Sequence, residues 1–293
     1  MQLLIDHVTR YRYAEPAAGI VQLLKLTPRE SDCQQVVNWR VDVEADGRLL
    51  AGRDSHGNLV HRFYADRPVS DLVIHVTGHV ITTDCAGIVR TPDEPLPPAL
   101  YTRTTALTSA GAAIEALAAP HAGRDPLDRL HALMLDVRGR MAFEPGTTDV
   151  VTDAETAFRL GRGVCQDFAQ VFIAAARRLG VPARYVSGHY AAPDHPEQEA
   201  AHAWAEAHVP GLGWVSFDPT HGVCGTEGHV RVAVGLDSLD AAPVRGTRRG
   251  GGIESLAVGV HGRALQPQRQ GQAQGQTQQQ AGPAQPSQGG AGR

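Results

Sequence analysis

Cysteine is scarce in this chain: four in 293 residues, too few for a disulfide scaffold. No run of 18 apolar residues occurs, so no membrane span is expected. The start, Met1-Gln2-Leu3-Leu4-Ile5-Asp6, lacks a basic stretch followed by a long apolar one, which argues against a secretory signal. Free thiols in a reducing, cytoplasmic setting are the expectation that follows. An excess of positive charge is missing too. With 27 basic and 31 acidic residues the net charge is −4, which excludes a strongly basic surface and with it a general nucleic-acid role. Lysine is almost absent, Lys25 being the only one. No internal repeat of 20–50 residues is visible.

What is present suits one large or two medium globular domains. Residues 1–95 read as an antiparallel β domain: 3–5, 10–13, 20–26, 36–43, 59–64 and 72–82 are short and rich in Val, Ile, Tyr and Thr. Turn signals such as Asp46-Gly47 and His56-Gly57-Asn58 separate them. The Pro-rich stretch 91–99 reads as a linker into a second unit, 96–245. There Asp125-Pro126 caps a helix whose Leu127, Leu130, Leu133, Met134, Val137 and Met141 recur at helical spacing. Thr152-Asp153-Ala154-Glu155 resembles a capping box opening a short helix to Leu160. A third helix, 165–179, puts Phe168, Val171, Phe172, Ala175 and Leu179 on one face. Strands are expected at 183–190, 202–209 and 214–218, the last two joined by a hairpin at Pro210-Gly211-Leu212-Gly213. Residues 245–252 read as a flexible turn and 253–265 as a closing strand. Residues 266–293 hold 11 Gln and no aliphatic or aromatic side chain beyond Ala and Pro, which predicts a disordered tail.

Cys165 falls at the start of the third helix, where unpaired N–H groups and the helix dipole favour an anion. A thiolate gains from that and becomes a nucleophile. His202 opens a strand, on the face of Trp204 and Glu206, and Asp218 ends the partner strand, on the face of Trp214 and Ser216. A carboxylate there orients the imidazole by accepting its second N–H. Register decides whether they meet. A turn of only 210–213 pairs Val209 with Trp214 and sets His202 opposite His221. Setting Asp218 opposite requires Glu206 to pair with Trp214, through a longer loop or a bulge. The second register is expected, because a carboxylate orients an imidazole better than another imidazole does.

Longer strings support the same three residues. Gly161-Arg-Gly-Val-Cys165-Gln-Asp-Phe-Ala resembles the nucleophile motif of the bacterial transglutaminase-like superfamily. Val181-Pro-Ala-Arg-Tyr-Val-Ser-Gly188, His202-Ala-Trp-Ala-Glu206 and Gly213-Trp-Val-Ser-Phe-Asp218-Pro-Thr resemble its following blocks, in the same order. His7-Val-Thr-Arg-Tyr-Arg-Tyr13, Leu26-Thr-Pro-Arg29 and Asp54-Ser-His-Gly-Asn58 are similar to that family's N-terminal domain. The resemblance implies an α+β fold: a papain-like transglutaminase core, helices packed on an antiparallel sheet, with an N-terminal all-β domain. It implies Cys165 as nucleophile, His202 as base and acid, and Asp218 as orienter, acting on amides of a peptide or protein substrate without a cofactor. Three positions depart from the pattern: Gln170 where the family often has His, His221 where Asn is common, and Gly235-Leu-Asp-Ser-Leu-Asp240 where Gly-Arg-Asp-Tyr-x-Asp is frequent. The absent Arg and Tyr bear on substrate recognition rather than on the chemistry.

The triad does not distinguish acyl transfer from peptide hydrolysis, since the difference lies in what the cleft admits and how it excludes water. A non-catalytic scaffold would show itself by loss of a triad member, and none is lost. Trp204 and Trp214 are core residues by default and candidates to line the cleft beside the triad. Gly163 reads as a turn residue that lets backbone approach the substrate. Histidines at 189, 195, 202, 208, 221 and 229 lack the short spacing of a zinc helix, and Cys224 has no Cys-x-x-Cys partner, so no metal is expected. Cys33 and Cys85 read as packing or surface thiols. The Gln-rich tail does not make the chain its own substrate, because Lys25 and the N-terminus are its only amines.

Overall fold

A computed structural model describes residues 1–191, 198–199 and 201–265. The Gln-rich tail lies outside the described residues. In chain order the strands and helices are β1 (Gln2–Thr27), β2 (Gln34–Glu44), β3 (Gly47–Arg53), β4 (Leu59–Ala65), β5 (Val69–Thr82), β6 (Ile88–Val89), α1 (Ala112–Ala118), α2 (Pro126–Arg140), β7 (Ala142–Phe143), α3 (Ala154–Leu160), β8 (Arg162–Gly163) and α4 (Cys165–Arg178). Then come β9 (Ala183–Tyr190), β10 (Gln198–Glu199), β11 (Ala201–Val209), β12 (Gly213–Asp218), β13 (Val223–Cys224), β14 (His229–Gly235), β15 (Val244–Gly250) and β16 (Glu254–Leu265). No described helix is long and apolar enough to cross a membrane.

The first sheet is organised by β1. Its first half runs between β16 and β5, and its second half between β15 and β4, with register breaks near Arg12–Val21. One long strand thus replaces the three expected over 3–26. Side chains alternating inward, among them Tyr11, Tyr13, Ile20, Leu24, Phe63, Leu72 and Ile74, form its core. The segment expected as a flexible turn at 245–252 is largely strand β15. Arg245 and Arg249 stay exposed and Arg248 is half-buried, while the backbone pairs with β1. Cys33 and Cys85, expected as free thiols, are joined by a disulfide. The bridge removes the support those thiols lent to a reducing compartment.

The second sheet runs β13-β12-β11-β9-β14, all antiparallel, with β6 pairing β12. β14 was missed in the sequence, although all seven of its residues are buried. Helices α1–α4 cover one face. Leu130, Leu133, Met134 and Val137 of α2 and Phe168, Phe172 and Ala175 of α4 pack on Ala203, Ala205, Val215 and Phe217. The cap of α3 is Asp153, which accepts from Thr156 N at 3.0 Å, so Thr152 is not the cap. Glu155 instead caps α1, accepting from Gly111, Ala113 and Ile114 amides at 3.0–3.1 Å. Segment 91–99 is tied down by Glu94, which forks onto Arg184 at 2.8 and 3.0 Å.

Candidate active site

The nucleophile candidate owes its setting to an unusual cap. Val164 stands at the N-cap of α4 and has no side-chain oxygen to offer the first-turn amides. Asp167, three residues in, reaches back instead: its Oδ2 accepts from Val164 N at 2.8 Å and from Thr148 Oγ1 at 2.7 Å. The first hydrogen bonds to Val164 O come from Asp167 N and Phe168 N. The amide of Cys165 therefore has no intrahelical acceptor and faces the start of the helix. Gly163 packs against this device. A Cβ there would lie 2.5 Å from Asp167 Oδ2. Gly163 is buried under Asp167 and does not line the cleft, contrary to expectation.

Neither expected register of the β11–β12 hairpin is found. Glu206 pairs with Ser216 and Val209 with Gly213. One step beyond the last pair, Asp218 comes opposite Trp204, on the same face as His202 and diagonal to it. The face is right because the slip from the expected register is two residues, and side chains alternate with period two. His202 Nε2 donates to Asp218 Oδ2 at 2.7 Å. The Cys165 sulfur is close enough to raise the imidazole's pKa by hydrogen bonding and by its charge. Burial opposes a charge on His202, yet Asp218 and Cys165 outweigh it and lift the pKa to about 9.

Asp218 is fully buried and its Oδ2 accepts from two further rings, His221 Nδ1 at 2.6 Å and His229 Nε2 at 3.2 Å. Its Oδ1 accepts from the amides of Thr220 at 3.0 Å and His221 at 3.2 Å. Burial alone would push this carboxyl up, but the three imidazoles hold it well below the usual carboxylate range. Tyr190 packs within 4.6 Å of His221 and of His229, centroid to centroid.

A cleft of about 770 Å³ opens over Cys165 and His202, lined also by Arg138, Phe143, Tyr190, His221, Val258 and Val260. The two valines belong to β16, so a strand of the first sheet supplies one wall. The tryptophans do not line this cleft. Trp204 is 1% exposed and stacks behind His202, and Trp214 lies under the Arg184 guanidinium at 3.9 Å. Both are buried because the β11–β12 face that carries them turns inward beyond His202 and Asp218. Two departures from the family pattern meet each other: Ser238 Oγ donates to Gln170 Oε1 at 3.0 Å. Leu236 O accepts from Arg177 at 2.7 Å. The 236–238 segment thus contacts α4 residues that do not line the cleft, rather than taking a place in its lining. Sequence reasoning missed His229, Phe143, Arg138 and Val258, which reach the site through tertiary pairing alone.

A cysteine at a helix start beside an imidazole, on helices packed over an antiparallel sheet, defines the class: a thiol enzyme. Comparison with known proteins supplies the family. Residues 115–219 match the model of the transglutaminase-like superfamily, and residues 3–81 match the bacterial transglutaminase-like N-terminal region. An uncharacterised protein of Mycobacterium leprae (strain TN) is 30% identical over 283 residues, covering 88% of this chain and 97% of that one. A second, from Mycobacterium tuberculosis (strain H37Rv), is 28% identical over 280 residues, covering 83% and 86%. A solved structure from Cytophaga hutchinsonii, described as a candidate cysteine protease, superposes with a TM-score of 0.71 at 21% identity, covering 91% of each chain. The chain belongs to the transglutaminase-like superfamily, and the fold is that of its core joined to its N-terminal β domain.

Proposed function

We propose that Cys165, His202 and Asp218 act as nucleophile, base and orienter in acyl transfer or hydrolysis at amide bonds of peptides or proteins. The observation that carries this reading is His202, held by Asp218 at 2.7 Å and neighbouring Cys165 at the floor of an open cleft. Nε2 is committed to Asp218, so Nδ1 is the nitrogen left for the sulfur. The thiolate attacks the amide carbonyl, and the amide N–H of Cys165 is placed to receive the developing oxyanion. Collapse to a thioester expels the amine, which takes its proton from His202. An amine or water then takes the acyl group. A cleft open to solvent admits an extended peptide segment, so a Gln side chain and a backbone amide both fit the chemistry.

Incubation with a protein digest and a labelled primary amine separates the outcomes. Label at Gln indicates transfer, and new termini indicate hydrolysis. Cys165→Ser is expected to abolish both, and to abolish alkylation at that position. Full activity in that variant refutes the mechanism.

A further inference from the structure

The three side chains that meet at Asp218 Oδ2 have a use besides orienting one imidazole. Asp218 Oδ2, His202 Nε2 and His221 Nδ1 all lie within 4.8 Å of one another. We propose that they form a site for a zinc-like transition-metal ion, whose binding shuts the enzyme off. One carboxylate oxygen and two imidazole nitrogens are the donor set of zinc and its neighbours, and too poor in oxygen for calcium or magnesium.

The surroundings suit three protein ligands and an open fourth position. Asp218 Oδ1 is pinned by the amides of Thr220 and His221, which leaves Oδ2 to face the rings. His221 is 39% exposed and lines the cleft, so an ion has a path in, and its Nε2 can carry the ring proton once Nδ1 binds metal. His202 likewise keeps its proton on Nδ1, toward Cys165. His229 is not a ligand. Its Nδ1 accepts from Thr226 N at 3.1 Å, so its only proton sits on Nε2, which remains a donor to Asp218. Ligand atoms now 2.6–2.7 Å apart would part by about three-quarters of an ångström around a tetrahedral ion at the usual ~2.1 Å distances. The ion takes the nitrogen that orients His202, and thereby the alignment that the reaction needs. His221 makes the site, and it is one of the positions where this chain departs from the family pattern.

The binding stands on geometry, while its effect on turnover rests on the proposed function. The test removes thiol coordination first. Cys165→Ser combined with Cys224→Ser is titrated with zinc chloride against a chromophoric zinc indicator, with circular dichroism confirming the fold. One zinc per chain is expected, and adding His221→Asn should weaken it at least ~10-fold. No binding by the folded double variant, or equal affinity after His221→Asn, overturns the site. In the cysteine-intact protein, zinc should slow amide turnover reversibly, with EDTA restoring it. Turnover unchanged with zinc bound overturns the shut-off. Zinc binding in a protein with no amide turnover at all sinks the proposed function and leaves the site standing.

Discussion

Asp218 accepts from three imidazoles and two backbone amides, so five hydrogen bonds depend on its two oxygens. Asp218→Asn keeps the shape and loses the charge that stabilises the imidazolium. It should cut kcat by roughly 10²–10⁴ with a smaller change in KM, because less of the enzyme then holds the charged His202 that hands its proton to the leaving amine. Steady-state kinetics on any amide substrate found for the enzyme checks this, and a change confined to KM would contradict it. Gly163 makes a second residue-scale test. Its φ is unexceptional, so the reason for glycine is space: a Cβ would sit 2.5 Å from Asp167 Oδ2 and 2.8 Å from Asp167 Cβ. Gly163→Ala must displace the side chain that closes the first turn of α4. A stability loss of about 1–3 kcal/mol and a fall in kcat/KM are expected together, read by denaturant unfolding and by assay. Stability lost with kinetics intact would mean that Asp167 does not position Cys165.

At the scale of elements, β9, β11 and β14 are bound together by charge around a fully buried Arg184–Glu206 pair. Arg184 and Glu206 are both 0% exposed and meet at 2.7 Å, Arg231 adds a second 2.7 Å bond to Glu206, and Glu94 closes the row. Burial alone would raise the Glu206 carboxyl, but the two guanidinium groups hold it ionised. Glu206→Gln leaves two buried cations against one carboxylate and should cost about 3–5 kcal/mol, measured by urea unfolding. A loss under 1 kcal/mol would mean that water reaches these groups. The same row explains what the sequence concealed. Arg231 in His229-Val-Arg-Val-Ala-Val-Gly235 reads as a surface residue, and only its partner Glu206, a long way back along the chain, makes burial of β14 affordable. By contrast α2 and α4 were legible, because their apolar residues recur at helical spacing and meet a local stop such as Gly180. β11 and β12 were legible as strands, but their register was not, since a loop of three or four residues fits the same glycines. The Cys33–Cys85 bond was hidden for a related reason: pairing two cysteines 52 positions apart requires knowing how β1, β2 and β5 fold over the core. Cys165, His202 and Asp218 were read from motif strings, while His221 and His229 joined them only through the fold.

For the whole molecule, the question is what holds the first sheet to the second. β14 is an edge strand, and its exposed backbone would be a liability. Two carboxamides from the N-terminal region cover it. Gln34 donates to Arg231 O at 2.9 Å and accepts from Arg231 N at 2.8 Å, and Asn58 does the same for Val234 at 2.7 and 2.9 Å. Lys25–Asp54 and His56–Asp240 contacts at 2.7 and 2.8 Å lie alongside. The Asp54–Asn58 block is therefore a docking device. Next to it the seam is apolar, with Leu3 and Val80 against Val230 and Val232, and two histidines are enclosed there, His7 and His189, ring centroids 5.9 Å apart. Burial pushes His7 down to about 4, against a smaller opposing pull from Asp6, and pushes His189 down to about 3, with His7 adding to the effect. Both rings stay neutral in the fold at pH values where the unfolded chain has already taken up protons. Stability from this seam is thus complete above pH ~6.5 and is lost as pH falls from there toward 4. His7 alone accounts for about 3 kcal/mol across that window. Urea unfolding at pH 7, 6, 5 and 4.5 should show the midpoint dropping steadily, and His7→Phe should flatten the slope. A midpoint that holds constant between pH 7 and 5 would mean that protonated histidines are tolerated there, and that the two sheets are joined more loosely than their contacts require.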